Sequence, residues 1–526
     1  MSAAQASTQA DIQLQQDGLP GEQWSAACER HGGNVALVTE GGRELTYSDW
    51  ADSARRLAGL LLDRGVKPGE RVALALTSGP AMVQAYLCGA LSGIVLVPIS
   101  HRSTAPEIAQ QLSETNTVGI IHGPELAGAL DTLGVRESGM KVVLNHDDPD
   151  AFVDCGDAQS APPSLDRLSP LDQYCIMYTG GTTGSPKGAI QTHLSWYCSI
   201  GAVVTQWGLT SEDVQLQALP MCHVSWFTTA AALAVGGKSL ILNRWNAPDA
   251  LDAIERHRVT VLNMPPTMVV DIMDELDRNE RDLSSLRFLS IPGVVLPADL
   301  YERARSRFGD ILGTVYGMTE TSGPVTFVLP GEMVGTRAAS GGRPSKDVIL
   351  RILEPEVTEF ANSSGLPTES GEIGLGGPHV VKEHANGNLA MEEGESLLRT
   401  GDIGAIDEEG FLYVVGRKKD MVKSGGYNVY PREVEDVLIS HPAVAAAAVV
   451  GRPDPRWMEA VHAAVVLQPD VDVDAEELRT FCRGHLAGYK VPKSIHKLDS
   501  LPYTTSFGKV DKKAIAAHMA EVEGAS

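Results

Sequence analysis

The chain has 526 residues, more than one compact core organises, so its length calls for a large body of two or three packed lobes plus a smaller domain. Hydrophobic residues make up 43%, and no stretch reaches the ~18 to 20 apolar residues of a membrane span, which argues against stable membrane insertion. A formal net charge of −24 argues against nucleic-acid and acidic-membrane binding, so an anionic ligand must be met by a locally basic site.

The N-terminal "MSAAQASTQADIQLQQDG" lacks a basic start and an apolar core, and is expected to be a loose leader rather than a secretory signal. From "LTYSDWADSARRLAGLLLDRGVKPGERVALAL" to "GIVLVPIS", helix-like segments alternate with short apolar runs, and Gly65 and Pro68-Gly69 break the helix before the strand. "AMVQAYLCGALSG" reads as a helix, and "GIIH", "KVVLN" and "QYCIMY" as further strands. Strands separated by helices predict an α/β body with largely parallel, layered sheets. The seven cysteines are scattered without a Cys-x-x-Cys pair, which points to a reduced cytoplasmic setting and no zinc site.

Directly after "QYCIMY" comes "Tyr178-Thr-Gly-Gly-Thr-Thr-Gly-Ser-Pro-Lys-Gly188". A mononucleotide P-loop requires Gly-x-x-x-x-Gly-Lys-Ser/Thr; here Pro186 precedes Lys187 and Gly188 follows it, so the pattern fails at two positions. The stretch still has what phosphate binding asks for: glycines that let backbone N–H groups turn inward, the hydroxyls of Thr179, Thr182 and Thr183, and the Lys187 ammonium. Its place after a buried-strand candidate favours a functional loop over a flexible surface one.

Beyond about residue 340, "VILRIL", "GEIGLGGP" and "GAIDEEGFLYVVGR" read as short strands with turn signals, a small β-rich lobe closing the body. Arg417 to Arg432 carries five basic residues and one acid, a local excess that fits a phosphate-bearing partner. "REVEDVLISHPAVAAAAVVG", "HAAVVLQ" and the helical "DAEELRTFCRGHLAG" then predict a small α+β domain over about 418–526, after a body of 1–417.

The loop resembles the Tyr-Thr-Ser-Gly-Thr-Thr-Gly-x-Pro-Lys-Gly motif of the adenylate-forming enzymes, which include acyl-CoA synthetases, firefly luciferase and peptide-synthetase adenylation domains; Gly180 replaces the serine, a variant familiar among fatty-acyl-CoA synthetases. Further motifs follow in that family's order: "Leu219-Pro-Met-Cys-His223", "Val315-Tyr-Gly-Met-Thr-Glu320", "Arg399-Thr-Gly-Asp402", "Gly416-Arg-Lys-Lys-Asp420" and "Thr504-Thr-Ser-Phe-Gly-Lys509". The resemblance runs from about Leu45 to Lys513. It implies a body of αβαβα-type layered sheets with a β-rich lobe, and a small mobile C-terminal α+β domain.

The resemblance also implies a reaction. A carboxylate attacks the α-phosphate of ATP and releases pyrophosphate, and the thiol of CoA then displaces AMP; both steps rest on positioning and electrostatics. Thr179, Gly180, Gly181, Thr182, Thr183 and Lys187 would hold the β- and γ-phosphates. Glu320 would carry Mg²⁺ and Thr319 bond the α-phosphate. Asp402 and Arg417 would hold the ribose, with Tyr316, Gly317 and Gly293 around adenine; "Gly293-Val-Val" departs from the family's usual Gly-Gly-Ala-Pro. Lys509 would bridge carboxylate and α-phosphate, then leave as the C-terminal domain turns about Lys419. Lys423, Gly425 and Gly426 would line the CoA channel. His223 would gate the passage between acyl pocket and thiol channel.

The expected acyl pocket comprises His223, Val224, Trp226, Gly317 and Met318, and Ala230 to Ala232 are read as leaving it space. With no charged residue in "VSWFTTAAALA", a hydrophobic acid is favoured: fatty, aryl or bulky alicyclic. No Asp follows His223 to hold the ammonium of an α-amino acid. The expected function is therefore a stand-alone acyl-CoA synthetase using ATP, CoA and Mg²⁺, with a homodimer within the expectation. Two alternatives stand beside it. One is an acyl-AMP ligase serving a carrier protein, kept open by Leu398 in place of an aromatic residue and Met458 in place of Gly; the other is a non-catalytic homologue.

Overall fold

The computed structural model describes residues 18–135, 138–156, 158, 161–162, 164–179, 187–292, 298–357, 369–388, 396–424, 427–469, 471–503 and 510–524. Two mostly parallel sheets form the body. In the six-stranded sheet the order is Val142–Asn145, Gly119–His122, Arg71–Ala75, Val95–Pro98, Gln173–Thr179 and Lys187–Thr192, parallel except for the last pair. The nine-stranded sheet is parallel from Leu312–Met318 through Phe288–Ser290, Val261–Asn263, Val214–Gln217 and Lys238–Ile241 to Val35–Thr39, with antiparallel strands at both edges. The layered α/β body read from the sequence is the one observed.

Helices pack with strands of both sheets into one core. Pro80–Ser92 is predominantly apolar and buried along its whole length; Pro80 starts it without an orphaned N–H, and Gly93, at φ 72°, ends it in the left-handed conformation. Trp24, Trp50, Trp196 and Trp226 meet in this core, with Trp226 stacked on Tyr86 at 3.8 Å between ring centroids. Truncating such a ring to alanine costs on the order of 3–5 kcal/mol.

Ala230 and Ala231 belong to the same core and Ala232 beside them is fully buried, which corrects the expectation that they leave room for substrate. Their helix, Phe227–Ala234, lies close to Pro20–His31, and the Trp24 indole N–H donates to the Ala230 carbonyl at 2.9 Å. The small side chains are used for close helix approach.

An antiparallel four-stranded sheet, Ile349–Val357, Glu369–Gly376, Leu398–Ile406 and Leu412–Arg417, forms the β-rich lobe. The short 3₁₀ turn Lys418–Asp420 leads from it into a separate core built on Val422–Ser424, Tyr427–Val429, Val444–Asp454, Met458–Leu467 and Ser494–Lys497 with helices Pro431–Ile439 and Ala475–His485. Helix Pro431–Ile439 packs back on Leu412–Arg417.

Candidate nucleotide and acyl site

The phosphate-loop motif is a β-hairpin at its base. Gln173–Thr179 ends where the loop begins, and Lys187, rather than standing in the loop, opens the return strand directly opposite Thr179. Gly188 is required there: a Cβ would come within 2.9 Å of Ile176 and 3.1 Å of Ala385. Of the expected site residues, Gly180, Gly181, Thr182, Thr183, Gly293, Gly425, Gly426 and Lys509 lie outside the described residues.

Tyr316, Asp402 and Arg417 are brought together from two sheets. Asp402 and Arg417 are paired across adjacent strands, and the guanidinium Nε lies 2.6 Å from Asp402 Oδ1. The Tyr316 hydroxyl donates to Asp402 Oδ2 at 2.8 Å. Burial, and then the Asp402 carboxylate, push the Tyr316 phenol well above its ordinary pKa, so it stays a neutral donor.

Thr319 and Glu320 form a 3₁₀ turn after strand Leu312–Met318. Buried Gln191, on the return strand Lys187–Thr192 of that hairpin, donates from its amide to the Thr319 carbonyl at 2.8 Å and accepts from the Trp196 indole at 2.8 Å. This fixes the turn against the hairpin. Buried His384 places Nε2 3.7 Å from Glu320 Oε1. Neither Gln191 nor His384 carries a sequence signal, because each acts only through a partner distant in the chain.

A cavity of about 650 Å³ runs from this cluster toward the C-terminal domain. Leu219, Val224, Phe227, Val315 and Pro324 give it an apolar wall, and Asp402, Arg417 and Lys512 a charged one. Gly317 is part of the wall and must be glycine, since a Cβ would collide with the Gly323 carbonyl and meet Pro324 Cα at 2.7 Å. Of the expected acyl residues, Val224 and Gly317 line the cavity, and His223 and Met318 adjoin them in the chain. Trp226 is instead held in the core by its stack on Tyr86, and its neighbours Ser225 and Phe227 face the cavity. Asn263, also in the lining, has its side-chain oxygen buried without a hydrogen-bond partner.

Lys419, expected at the hinge, is exposed in the turn Lys418–Asp420. Its neighbour Lys418 is tied to the lobe by a 2.8 Å ion pair with Glu372, which also meets Arg399 at 3.1 Å. Burial pushes the Glu372 carboxyl up, but these cations outweigh it and hold the group below its ordinary range. Lys423 is exposed beside a surface that motif reading missed. There Tyr427 stacks on Tyr489 at 4.4 Å, and Arg456 and Lys493 lie over Trp457 at 4.8 and 5.0 Å. Met458 next to it has φ 65°, the left-handed backbone that favours glycine.

Two layered sheets, a β-rich lobe and a cavity that runs from a buried carboxylate–guanidinium–phenol cluster along an apolar wall define a nucleotide-using enzyme of two packed parts. The chain belongs to the AMP-binding enzyme family: that family's profile matches residues 24–384, and the profile of the AMP-binding enzyme C-terminal domain matches 433–508. It is 36% identical to a feruloyl-CoA synthase of Amycolatopsis sp over 496 residues, covering 93% of this chain and 97% of the relative. The o-succinylbenzoate coenzyme A synthetase of Bacillus subtilis, solved with ATP and magnesium ion, superposes with a TM-score of 0.79 at 28% identity, covering 94% and 99% of the two chains. An amide bond synthetase of Marinactinospora thermotolerans superposes with a TM-score of 0.82 at 27% identity, covering 95% and 99%.

Proposed function

We propose that this chain is an AMP-forming acid–thiol ligase: it activates a hydrophobic carboxylic acid with ATP to an acyl-adenylate and transfers the acyl group to CoA. The observation that carries this reading is the Tyr316–Asp402–Arg417 cluster on a cavity whose other wall is apolar, since a nucleotide and an apolar acid must meet there for the carboxylate to reach the α-phosphate.

Asp402 accepts the ribose hydroxyls with Arg417 alongside, and Tyr316 and Gly293 flank adenine. Thr179, Gly180, Gly181, Thr182, Thr183 and Lys187 hold the departing pyrophosphate, whose negative charge the Lys187 ammonium stabilises. Thr319 bonds the α-phosphate. The Glu320 carboxylate, a hard oxygen donor on a fixed turn, suits Mg²⁺, which when bound would neutralise phosphate charge. Lys509 bridges carboxylate and α-phosphate, and His223 gates the passage to the thiol.

The second step uses the other face of the C-terminal domain, turned about Lys419. Lys423, Gly425 and Gly426 admit the pantetheine arm. The paired Tyr427 and Tyr489 rings and the cations over Trp457 suit the adenine and phosphates of CoA, because aromatic faces stack on a base and attract cations that also meet phosphate.

The acid is aryl or alicyclic and carries a hydrogen-bond donor. An unpaired buried acceptor such as the Asn263 oxygen costs about 1–3 kcal/mol, which a substrate hydroxyl would recover. Acid-dependent ATP–pyrophosphate exchange over hydroxylated aryl, alicyclic and straight-chain acids tests the reading, with Lys509→Ala expected to be silent. Hydroxylated ring acids should give the highest kcat/KM. Preference for straight-chain acids overturns the substrate class, and exchange with none of them overturns adenylation. Offering CoA, a carrier protein or an amine to the enzyme-bound adenylate identifies the acceptor, and product with an amine but not with CoA would refute the thiol step.

A further inference from the structure

His384 is more than nine-tenths buried, and both of its ring nitrogens lie buried without a hydrogen-bond partner. Leaving such groups unpaired is costly, so their retention beside the candidate site points to a ligand. Nε2 faces Glu320 Oε1 at 3.7 Å, too far for a hydrogen bond.

The backbone holds the imidazole there from three sides. The Val381 N–H donates to the Glu320 carbonyl at 2.8 Å, the Ala385 N–H to the Gly188 carbonyl at 2.7 Å, and the Ile190 N–H to the Glu383 carbonyl at 3.2 Å. Segment 381–388 is thus a strap tied both to the Thr319–Glu320 turn and to the root of the phosphate hairpin. It sets a nitrogen donor and a carboxylate on the same side of the place where the nucleotide phosphates are proposed to lie.

We propose that the divalent-cation site of this chain is mixed, with Glu320 supplying a carboxylate oxygen and His384 an imidazole nitrogen, so that it takes Mn²⁺ in preference to Mg²⁺. The inference rests on the adenylation reading for the position of the nucleotide. Adjacent ligands on a six-coordinate ion with bonds near 2.1 Å stand about 3 Å apart, so less than about 1 Å of side-chain movement brings both donors onto one ion. Carboxylate and water alone suit Mg²⁺. An added imidazole shifts preference along the divalent series toward transition ions, which bind nitrogen better.

The test uses the full-length protein with ATP and Mn²⁺ as the probe. In protein labelled with ¹⁵N-histidine, pulsed electron paramagnetic resonance of the bound Mn²⁺ should show ¹⁵N hyperfine coupling, which the unlabelled adenine nitrogens cannot produce. Titration of free Mn²⁺ should give at least about tenfold weaker binding in His384→Gln, with Mg²⁺ binding, read by competition, changed less than about threefold. Absence of ¹⁵N coupling in the wild-type protein overturns the proposal whatever the variant does, as does equal Mn²⁺ binding by a folded His384→Gln. Pyrophosphate exchange measured with Mg²⁺ reports the adenylation reading separately, so failure of one is distinguishable from failure of the other.

Discussion

Asp402 is buried with a phenol on one carboxylate oxygen and a guanidinium on the other, so its charge is fixed in place before any nucleotide arrives. Asp402→Asn keeps the shape but removes the charge that pairs Arg417 and that we propose accepts the ribose hydroxyls. Charge-assisted hydrogen bonds contribute about 1.5–3 kcal/mol each, so kcat/KM for ATP in pyrophosphate exchange should fall roughly 10- to 100-fold with the thermal midpoint little changed. An unchanged kcat/KM would remove Asp402 from the nucleotide site. Asp402, Arg417, Tyr316 and Glu320 were legible as motif members because each stands at fixed spacing among glycines and threonines of its own segment. Gln191, His384 and Asn263 were not, since a buried polar residue inside an apolar strand or an ordinary loop has no local pattern; only its partner reveals its use. Trp226 misled for the converse reason: it adjoins wall residues in the chain, but its ring turns into the core.

At the scale of elements, the turn Lys418–Asp420 is a three-residue connection between two cores, anchored on one side by the Lys418–Glu372 pair. In the observed arrangement Lys512, on the C-terminal domain, lines the cavity that also holds Asp402. A proline at 419 fixes φ near −65° and restricts the preceding residue, freezing the turn. Lys419→Pro should therefore leave pyrophosphate exchange within about threefold and reduce CoA-thioester formation more than about 100-fold, as read by separate assays of the two half-reactions. Equal loss of both would argue against a hinge. Several strands and helices, among them Tyr47–Asp63, Arg71–Ala75 and Pro80–Ser92, were legible from alternation and from breakers such as Gly65 and Pro68-Gly69. The alanine run 230–232 was not, because small residues serve a pocket and a close helix contact equally well until the neighbouring helix is placed.

For the whole molecule, folding buries His193 and His379 and favours their neutral form. Burial pushes the imidazoles of His193 and His379 down to about 4 from an ordinary 6.5. The unfolded chain then binds more protons than the folded one across that window, so the stability these groups contribute is complete above pH 6.5 and is lost as pH falls toward 4. Each can account for on the order of 3 kcal/mol. The thermal midpoint should fall over this range, and His193→Phe should fall less steeply than wild type over the same range. Parallel slopes for the two proteins would show that protonation of this site does not drive the loss.

The sequence by itself determined the reaction class and the layered fold, because phosphate handling and strand–helix alternation are written in contiguous residues at short spacing. Only the tertiary structure decided that Lys187 begins a strand, that Asp402 is held by Tyr316 and Arg417 at once, that the alanines pack a helix, and that His384 faces Glu320. Those facts depend on which distant segments share a boundary, and that is set by how the two sheets, the lobe and the C-terminal domain bury their apolar faces together.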